Sequence, residues 1–401
     1  HQRNADVVIN GEYPQHLEDI LHEADCVLAA SVIEGWDGYQ PTSLHTFDGF
    51  ANEIGIKSLF YKDESTRFGL GSFKALGGAY AVLRLLSQEI PKLTRKPASD
   101  EDIHTGRYAE VIKDLTVVTA TDGNHGRSVA WGAQQFGCPC KIYMHEGVSN
   151  ARARAIEDLG AEVVWINGNY DVSVHHAATD ASANGWFIVS DTSYEGYMDL
   201  PRHVMAGYSV MASETVNQLP GQTPPSHVFV QGGCGGLAAA VSANLWHVYG
   251  KDRPRFVIVE PVWADCLYLS AVNAKPTMMN IVDESIMAGL SCGEVSLLGW
   301  EILSQSAEDF MTITDDLVGP VMRQLADGGT GTGTGNDKPI VAGESAVAGL
   351  AGLIAARRSP ELSSALGLDE NSTVLVFGTE GATDPEIYQS IVGRTPQDVL
   401  A

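Results

Sequence analysis

Basic residues are scarce in this chain. Lysine and arginine number 25 against 50 aspartates and glutamates, a formal charge of −25. No basic patch interrupts that surplus, which argues against nucleic acid or an anionic membrane surface as a partner. Long apolar runs are absent too, none approaching the roughly 20 residues of a membrane span. The opening His1-Gln2-Arg3-Asn4-Ala5-Asp6 has no hydrophobic signal region. It lacks an initiator methionine, so the expectation is a trimmed, cytoplasmic chain. Six cysteines in 401 residues are not a disulfide framework. Cys138-Pro139-Cys140 is too tight for a metal or redox pair and is expected at a strand start beneath the core. No metal constellation is evident, and the adjacent His175 and His176 are expected at the surface. No fixed-period repeat occurs. Asp327 to Asp337, rich in glycine and threonine, is the one low-complexity piece, expected to be an exposed flexible loop.

What is present is an ordinary globular composition, 44% hydrophobic and 19% charged. The chain is long for one core, since single cores stop growing near roughly 250–300 residues, so two lobes are expected. Strand-like and helix-like segments alternate, which implies an α/β fold with mostly parallel sheets flanked by helices. Leu115 to Val118, Arg255 to Val259 and Thr373 to Phe377 read as buried strands, Lys141 to Met144 and Glu162 to Ile166 repeat the strand–helix–strand pattern, and Val228 to Val230 is a strand that runs into a glycine loop.

Three segments carry chemistry. In Ser72-Phe73-Lys74-Ala75-Leu76-Gly77-Gly78 a lone lysine stands between an aromatic residue and two glycines, opening an apolar helical stretch. An amine kept partly dry loses part of its preference for the charged form and becomes available as a nucleophile or base, the chemistry of a Schiff-base lysine. The plainer alternative is a helix-start lysine whose stem covers apolar surface. In Thr119-Ala120-Thr121-Asp122-Gly123-Asn124-His125-Gly126-Arg127 a strand turns into a helix, where backbone N–H groups bind carboxylates and phosphates well. A capped turn would explain one polar residue there, but not the cluster of Thr, Asp, Asn and His. In Gln231-Gly232-Gly233-Cys234-Gly235-Gly236 a second strand runs into a glycine loop and a small-residue helix. No Lys-Ser/Thr follows, and the dinucleotide spacing is missing. A small phosphate remains as the ligand.

These strings resemble the fold type II pyridoxal phosphate enzymes, and within that family the diaminopropionate ammonia-lyases most closely. The matching stretches run from Lys62-Asp63-Glu64-Ser65-Thr66-Arg67-Phe68 through Glu260-Pro261, Met287-Ala288-Gly289-Leu290-Ser291-Cys292-Gly293-Glu294 and Ala342-Gly343-Glu344-Ser345 to Thr379-Glu380-Gly381. The resemblance implies a two-lobed architecture like the tryptophan synthase β-subunit. Residues 1–104 would carry the Schiff-base lysine in the large domain, 105–210 would form the small domain, and 211–401 would complete the large one with the phosphate loop. It implies pyridoxal 5'-phosphate as cofactor and a homodimer as the assembly.

By the same resemblance, Lys74, preceded by Phe73, would hold the cofactor aldehyde. The amides of Gly232, Gly233, Cys234, Gly235 and Gly236 would hold its phosphate, and Asn124 its phenolic oxygen. Thr379 would meet the ring nitrogen, unless Glu380 reaches it instead. Thr121 to His125 would receive the substrate carboxylate. Asp122 stands where the dehydratases carry a small neutral residue, and a carboxylate beside a carboxylate needs a purpose. The resemblance supplies one: Lys74 takes the Cα proton of an L-substrate and Asp122 that of a D-substrate. Asp191 would face the substrate's β-ammonium, with a loop cap as the plain alternative. Tyr170 and Tyr197 are expected in the core. Cys266 and Cys292 are expected as buried thiols, a disulfide between them being the lesser reading. The activity implied is β-elimination of 2,3-diaminopropionate to pyruvate and two ammonia. The alternatives are a serine, threonine or 3-hydroxyaspartate dehydratase and a non-catalytic binding protein on the same scaffold.

Overall fold

The structure, a computed structural model, describes residues 1–401 apart from 5–6, 8–10, 122 and 330–336. In chain order its strands are β1 (Gln2–Arg3), β2 (Ser43–Thr46), β3 (Ser58–Asp63), β4 (Val117–Ala120), β5 (Cys140–His145) and β6 (Glu162–Ile166). They continue with β7 (Phe187–Ile188), β8 (His227–Gln231), β9 (Arg255–Pro261), β10 (Asp309–Ile313) and β11 (Thr373–Gly378). Two sheets result, seven-stranded in the order β1-β10-β9-β8-β11-β3-β2 and four-stranded in the order β6-β5-β4-β7.

In the larger sheet β10, β9, β8, β11 and β3 run parallel, and only the edge strands β1 and β2 are antiparallel. The sequence explains the layout. The central strands, such as His227-Val228-Phe229-Val230-Gln231, are buried at every residue, as parallel strands covered on both faces must be. A buried cluster with Phe47, Phe50, Tyr61, Phe229, Val257 and Val376 fills one side of this sheet.

The chain folds as two compact units. The larger comprises His1–Glu23, Gln40–Phe73 and Met211–Ala401, and the smaller Ala24–Tyr39 with Lys74–Val210. The smaller unit takes in Ala24–Tyr39 and resumes at Lys74, ahead of residue 105. The reason is packing between the helices Lys74–Thr94 and Asn124–Phe136. A Cβ placed on Gly132 would lie 2.6 Å from the Ala79 Cα, so the two backbones touch only because Gly132 has no side chain. Trp36, from the shorter piece, meets Trp131 and Phe136 edge-on.

The smaller unit's sheet is entirely parallel. Its β4 starts two residues later than the Leu115–Val118 expectation. The Leu115 amide closes a turn onto Ile112, and bonding to the neighbouring strands begins only with the Thr116 carbonyl, which accepts from Phe187, and the Val117 amide, which donates to Pro139. Cys138 and Cys140 lie buried at the start of β5, where burial pushes the Cys138 thiol up to about 12. His175 and His176 are exposed. Tyr170 departs from its expected core place: it opens the helix Tyr170–Asn184 and is 41% exposed. No helix among the described residues is long and apolar enough to cross a membrane.

Candidate active site

In the smaller unit Lys74 is the first residue of its helix, so its stem starts at a helix N-terminus. Its ammonium pairs with the Asp191 carboxylate and lies 5.8 Å from the Tyr208 ring centroid. The Ser128 hydroxyl donates to the Lys74 carbonyl at 2.7 Å, tying the lysine's backbone to the neighbouring helix. The side chains of Lys74 and Asp191 are 19% and 16% exposed, a partly dry ion pair. Burial would raise the Asp191 carboxyl, but the Lys74 ammonium outweighs it and holds the group well below the ordinary carboxylate range.

His125 completes the cluster. Its Nε2 lies 2.8 Å from the Val189 carbonyl, an acceptor only, so Nε2 carries the proton and Nδ1 presents a lone pair. That Nδ1 is 3.7 Å from the Asp191 carboxylate and has no hydrogen-bond partner among the described residues. Burial lowers the imidazole's affinity for a second proton, with Asp191 opposing and Lys74 adding to the shift. Tyr197 keeps the Asp191 loop in place: its hydroxyl accepts from the Ser190 amide at 2.9 Å and donates to the Ile188 carbonyl at 3.0 Å.

The turn before His125 is internally bonded. The Thr121 hydroxyl accepts from the amides of Gly123 (3.0 Å) and Gly126 (3.1 Å), and the Thr121 amide donates to Tyr143. The amides of Thr121 and Gly123, expected to receive a carboxylate, are therefore engaged within the protein. Asn124 opens the following helix. Asp122 lies outside the described residues.

In the larger unit the glycine loop joins β8 to the helix Gly236–Tyr249. Of the five amides expected to grip a phosphate, two are engaged elsewhere. Gly232 donates to the Val259 carbonyl at 2.9 Å, and Gly235 closes the turn onto Gly232 at 3.3 Å. The amides of Gly233 and Gly236 find no acceptor among the described residues. Buried amides rarely go unpaired, and at a helix N-terminus they await an anion. Gly232 must be glycine, because a Cβ there would lie 2.5 Å from Glu260 Cγ. Glu260 in turn accepts from the amides of Leu267 (3.0 Å) and Tyr268 (2.7 Å).

Thr379 follows β11 and is 4% exposed. Its carbonyl accepts from the amide of Phe73, the residue before Lys74, at 3.1 Å. The neighbouring Glu380 carboxylate accepts from the Ser345 amide at 3.2 Å and the Thr383 hydroxyl at 3.4 Å. The cysteines of this unit include Cys266, whose thiol points at the Gly233 carbonyl from 3.5 Å. All six cysteines are free thiols.

One buried network escaped the sequence reading. Arg67 binds Glu64 through Nε and Nη2, and Glu214 through Nη1 and Nη2, all four bonds at 2.8 Å. Lys62 adds 2.7 Å to Glu214 and 3.0 Å to Gln218. Two cations and two carboxylates, all buried, balance to zero charge. The network braces the turn Glu64–Gly69 that leads toward Phe73. Its one sequence signal was three charges within the otherwise apolar approach to that turn.

A lysine amine at a helix start in the smaller unit, and in the larger one glycine-loop amides without an acceptor among the described residues and a buried hydroxyl, are each the kind of donor that an aldehyde-bearing pyridine phosphate uses. The chain belongs to the family described as pyridoxal-phosphate dependent enzymes, whose model matches residues 36–379. It is 39% identical over 393 residues to the diaminopropionate ammonia-lyase of Escherichia coli, covering 96% of each chain. It is 37% identical to that of Salmonella typhimurium, covering 88% of each. The Escherichia coli enzyme solved with an aminoacrylate-PLP azomethine reaction intermediate superposes with a TM-score of 0.85 at 38% identity, over 97% of this chain and 95% of that one. Threonine deaminase of Solanum lycopersicum, at 18% identity and a TM-score of 0.74, shares the fold.

Proposed function

We propose that this protein is a carbon–nitrogen lyase that converts 2,3-diaminopropionate and water to pyruvate and two ammonia. The observation that carries the reading is the Lys74–Asp191–His125 cluster, supported by the 39% identity to a diaminopropionate ammonia-lyase over nearly the whole chain. Pyridoxal phosphate, when bound, supplies an electron sink for the carbanion at Cα.

The protein's residues do the rest. Lys74 would hold the cofactor aldehyde, and its amine would take the Cα proton of the L-isomer. Asp122 takes the proton of the D-isomer. Asp191, ionised at any physiological pH, attracts the substrate's β-ammonium. The lone pair on His125 Nδ1 lies beside that carboxylate and orients the same group. Gly233 and Gly236 hold the phosphate, Asn124 the phenolic oxygen and Thr379 the ring nitrogen. A neutral hydroxyl at the nitrogen leaves the ring weakly basic, which favours loss of the β-substituent over transamination. The assembly is a homodimer in the cytoplasm.

The deciding experiment is a substrate panel read by ammonia and pyruvate release. Both enantiomers of diaminopropionate should turn over faster than serine, threonine or 3-hydroxyaspartate. A preference for the hydroxy amino acids would make the protein a dehydratase. Replacing Asp122 by Asn should abolish turnover of the D-isomer far more than of the L-isomer, and equal losses would remove the two-base assignment.

A further inference from the structure

Gln231 is the last residue of β8, immediately before the glycine loop, and it is 1% exposed. Its Nε2 donates to the carbonyls of Phe377 (2.7 Å) and Ala346 (2.8 Å) and approaches the Thr379 hydroxyl at 3.2 Å. Two carbonyl neighbours fix which end of the amide is nitrogen, because a carbonyl oxygen turned toward them would leave three acceptors and no proton. The other end, Gln231 Oε1, is buried and has no partner among the described residues. An unmet buried acceptor destabilises the fold, so this side chain is not optimised for stability alone.

The consequence falls on Thr379. An amide nitrogen donates but does not accept. The hydroxyl therefore turns a lone pair toward Gln231, and its own proton points elsewhere. Among the described residues that proton has no acceptor. Thr379 is a buried donor with an unspent hydrogen.

We propose that Gln231 is a positioning residue that fixes Thr379 as a hydrogen-bond donor, so that the cofactor's ring nitrogen is held unprotonated as an acceptor. This rests on the reading that Thr379 meets the ring nitrogen. Gln231 thus serves both ends of the cofactor: its backbone opens the phosphate loop, and its side chain sets the polarity of the contact at the ring.

The test uses holoenzyme carrying cofactor isotope-labelled at the ring nitrogen, observed by NMR. The wild type should show the shift of a hydrogen-bonded, unprotonated nitrogen, flat across the neutral pH range; a protonated nitrogen would overturn the proposal. Thr379→Val should move that shift. If it does not, the reading that Thr379 meets the ring is wrong, and the proposal falls with it. Gln231→Glu, which accepts the Thr379 proton, and Gln231→Met, which offers no donor, should move the shift as Thr379→Val does. A wild-type shift in either variant, with Thr379→Val shifted, would overturn the role of Gln231 and leave that of Thr379 standing. A measurement on the unaltered protein guards against variants that do not fold. A cofactor analogue with C–H in place of the ring nitrogen should bind about tenfold more weakly, the loss of one hydrogen bond to a buried donor. Equal binding would overturn the proposal.

Discussion

Lys74, Asp191 and His125 show how much a single amine depends on its neighbours. Lysine at a helix start is unremarkable until its counter-ion is known, and Asp191 is 117 residues away in sequence. The motif around Lys74 was legible because its residues are contiguous. That Asp191 would pair with Lys74 was not, since a loop aspartate before Thr192 reads equally well as a cap. Gln231 was quoted as a strand end, yet nothing local told of its amide reaching Thr379. Lys74→Ala should abolish ammonia release and the cofactor's covalent attachment, read by borohydride labelling. Asp191→Asn should lower kcat about 100-fold, the scale of one displaced catalytic group. The depressed Asp191 carboxyl also sets a sign in stability. Its contribution is present above the unfolded value of roughly 3.9 and is lost as pH falls through the lower folded value. Asp191→Asn should therefore flatten the acid limb of the stability curve, measured by denaturant unfolding.

Among the elements, the parallel strands were the most legible part. Val228-Phe229-Val230 and Phe256 to Val259 are unbroken apolar runs, and both lie in the centre of the larger sheet. Edges were harder: β4 slips two residues because the preceding turn, rather than propensity, decides where its ladder begins. The contact of helices Lys74–Thr94 and Asn124–Phe136 was hidden because Gly132 carries no apolar signal. Gly132→Ala should destabilise by about 1–3 kcal/mol in urea titration, the cost of overpacking against backbone that has no room to shift. Glu260 acts on the short helix Cys266–Asn273. Burial pushes its carboxyl up to about 8, against the pull of the Leu267 and Tyr268 amides. The folded state thus keeps a proton that the unfolded chain releases near 4.3. Stability from this group is complete below that value and is lost as pH rises through about 8. Thermal midpoints compared between wild type and Glu260→Gln should diverge over that window, the wild type falling more steeply.

At the scale of the whole molecule Lys74 belongs to the smaller unit and the glycine loop to the larger. Ligand that binds only the folded state stabilises it by mass action, by about 2.7 kcal/mol at a hundred times Kd. Stripping the cofactor should accordingly lower Tm, and Lys74→Ala should narrow the gap. The charge network around Arg67 holds β3 to the distant Glu214. Arg67→Lys, which lacks the planar fork, should destabilise by about 3 kcal/mol, since it leaves buried carboxylates under-paired; chemical denaturation would show it.

The strand order also dictates a timetable for birth on the ribosome. Every strand of the four-stranded sheet comes from residues 117–188, so that sheet can close early in translation. By contrast β3, made long before, lies between β2 and β11, and β11 comes from residues 373–378. Until residues 373–378 are synthesised, β3 has a bare flank that invites wrong pairing. The nascent chain needs shielding there for most of its elongation.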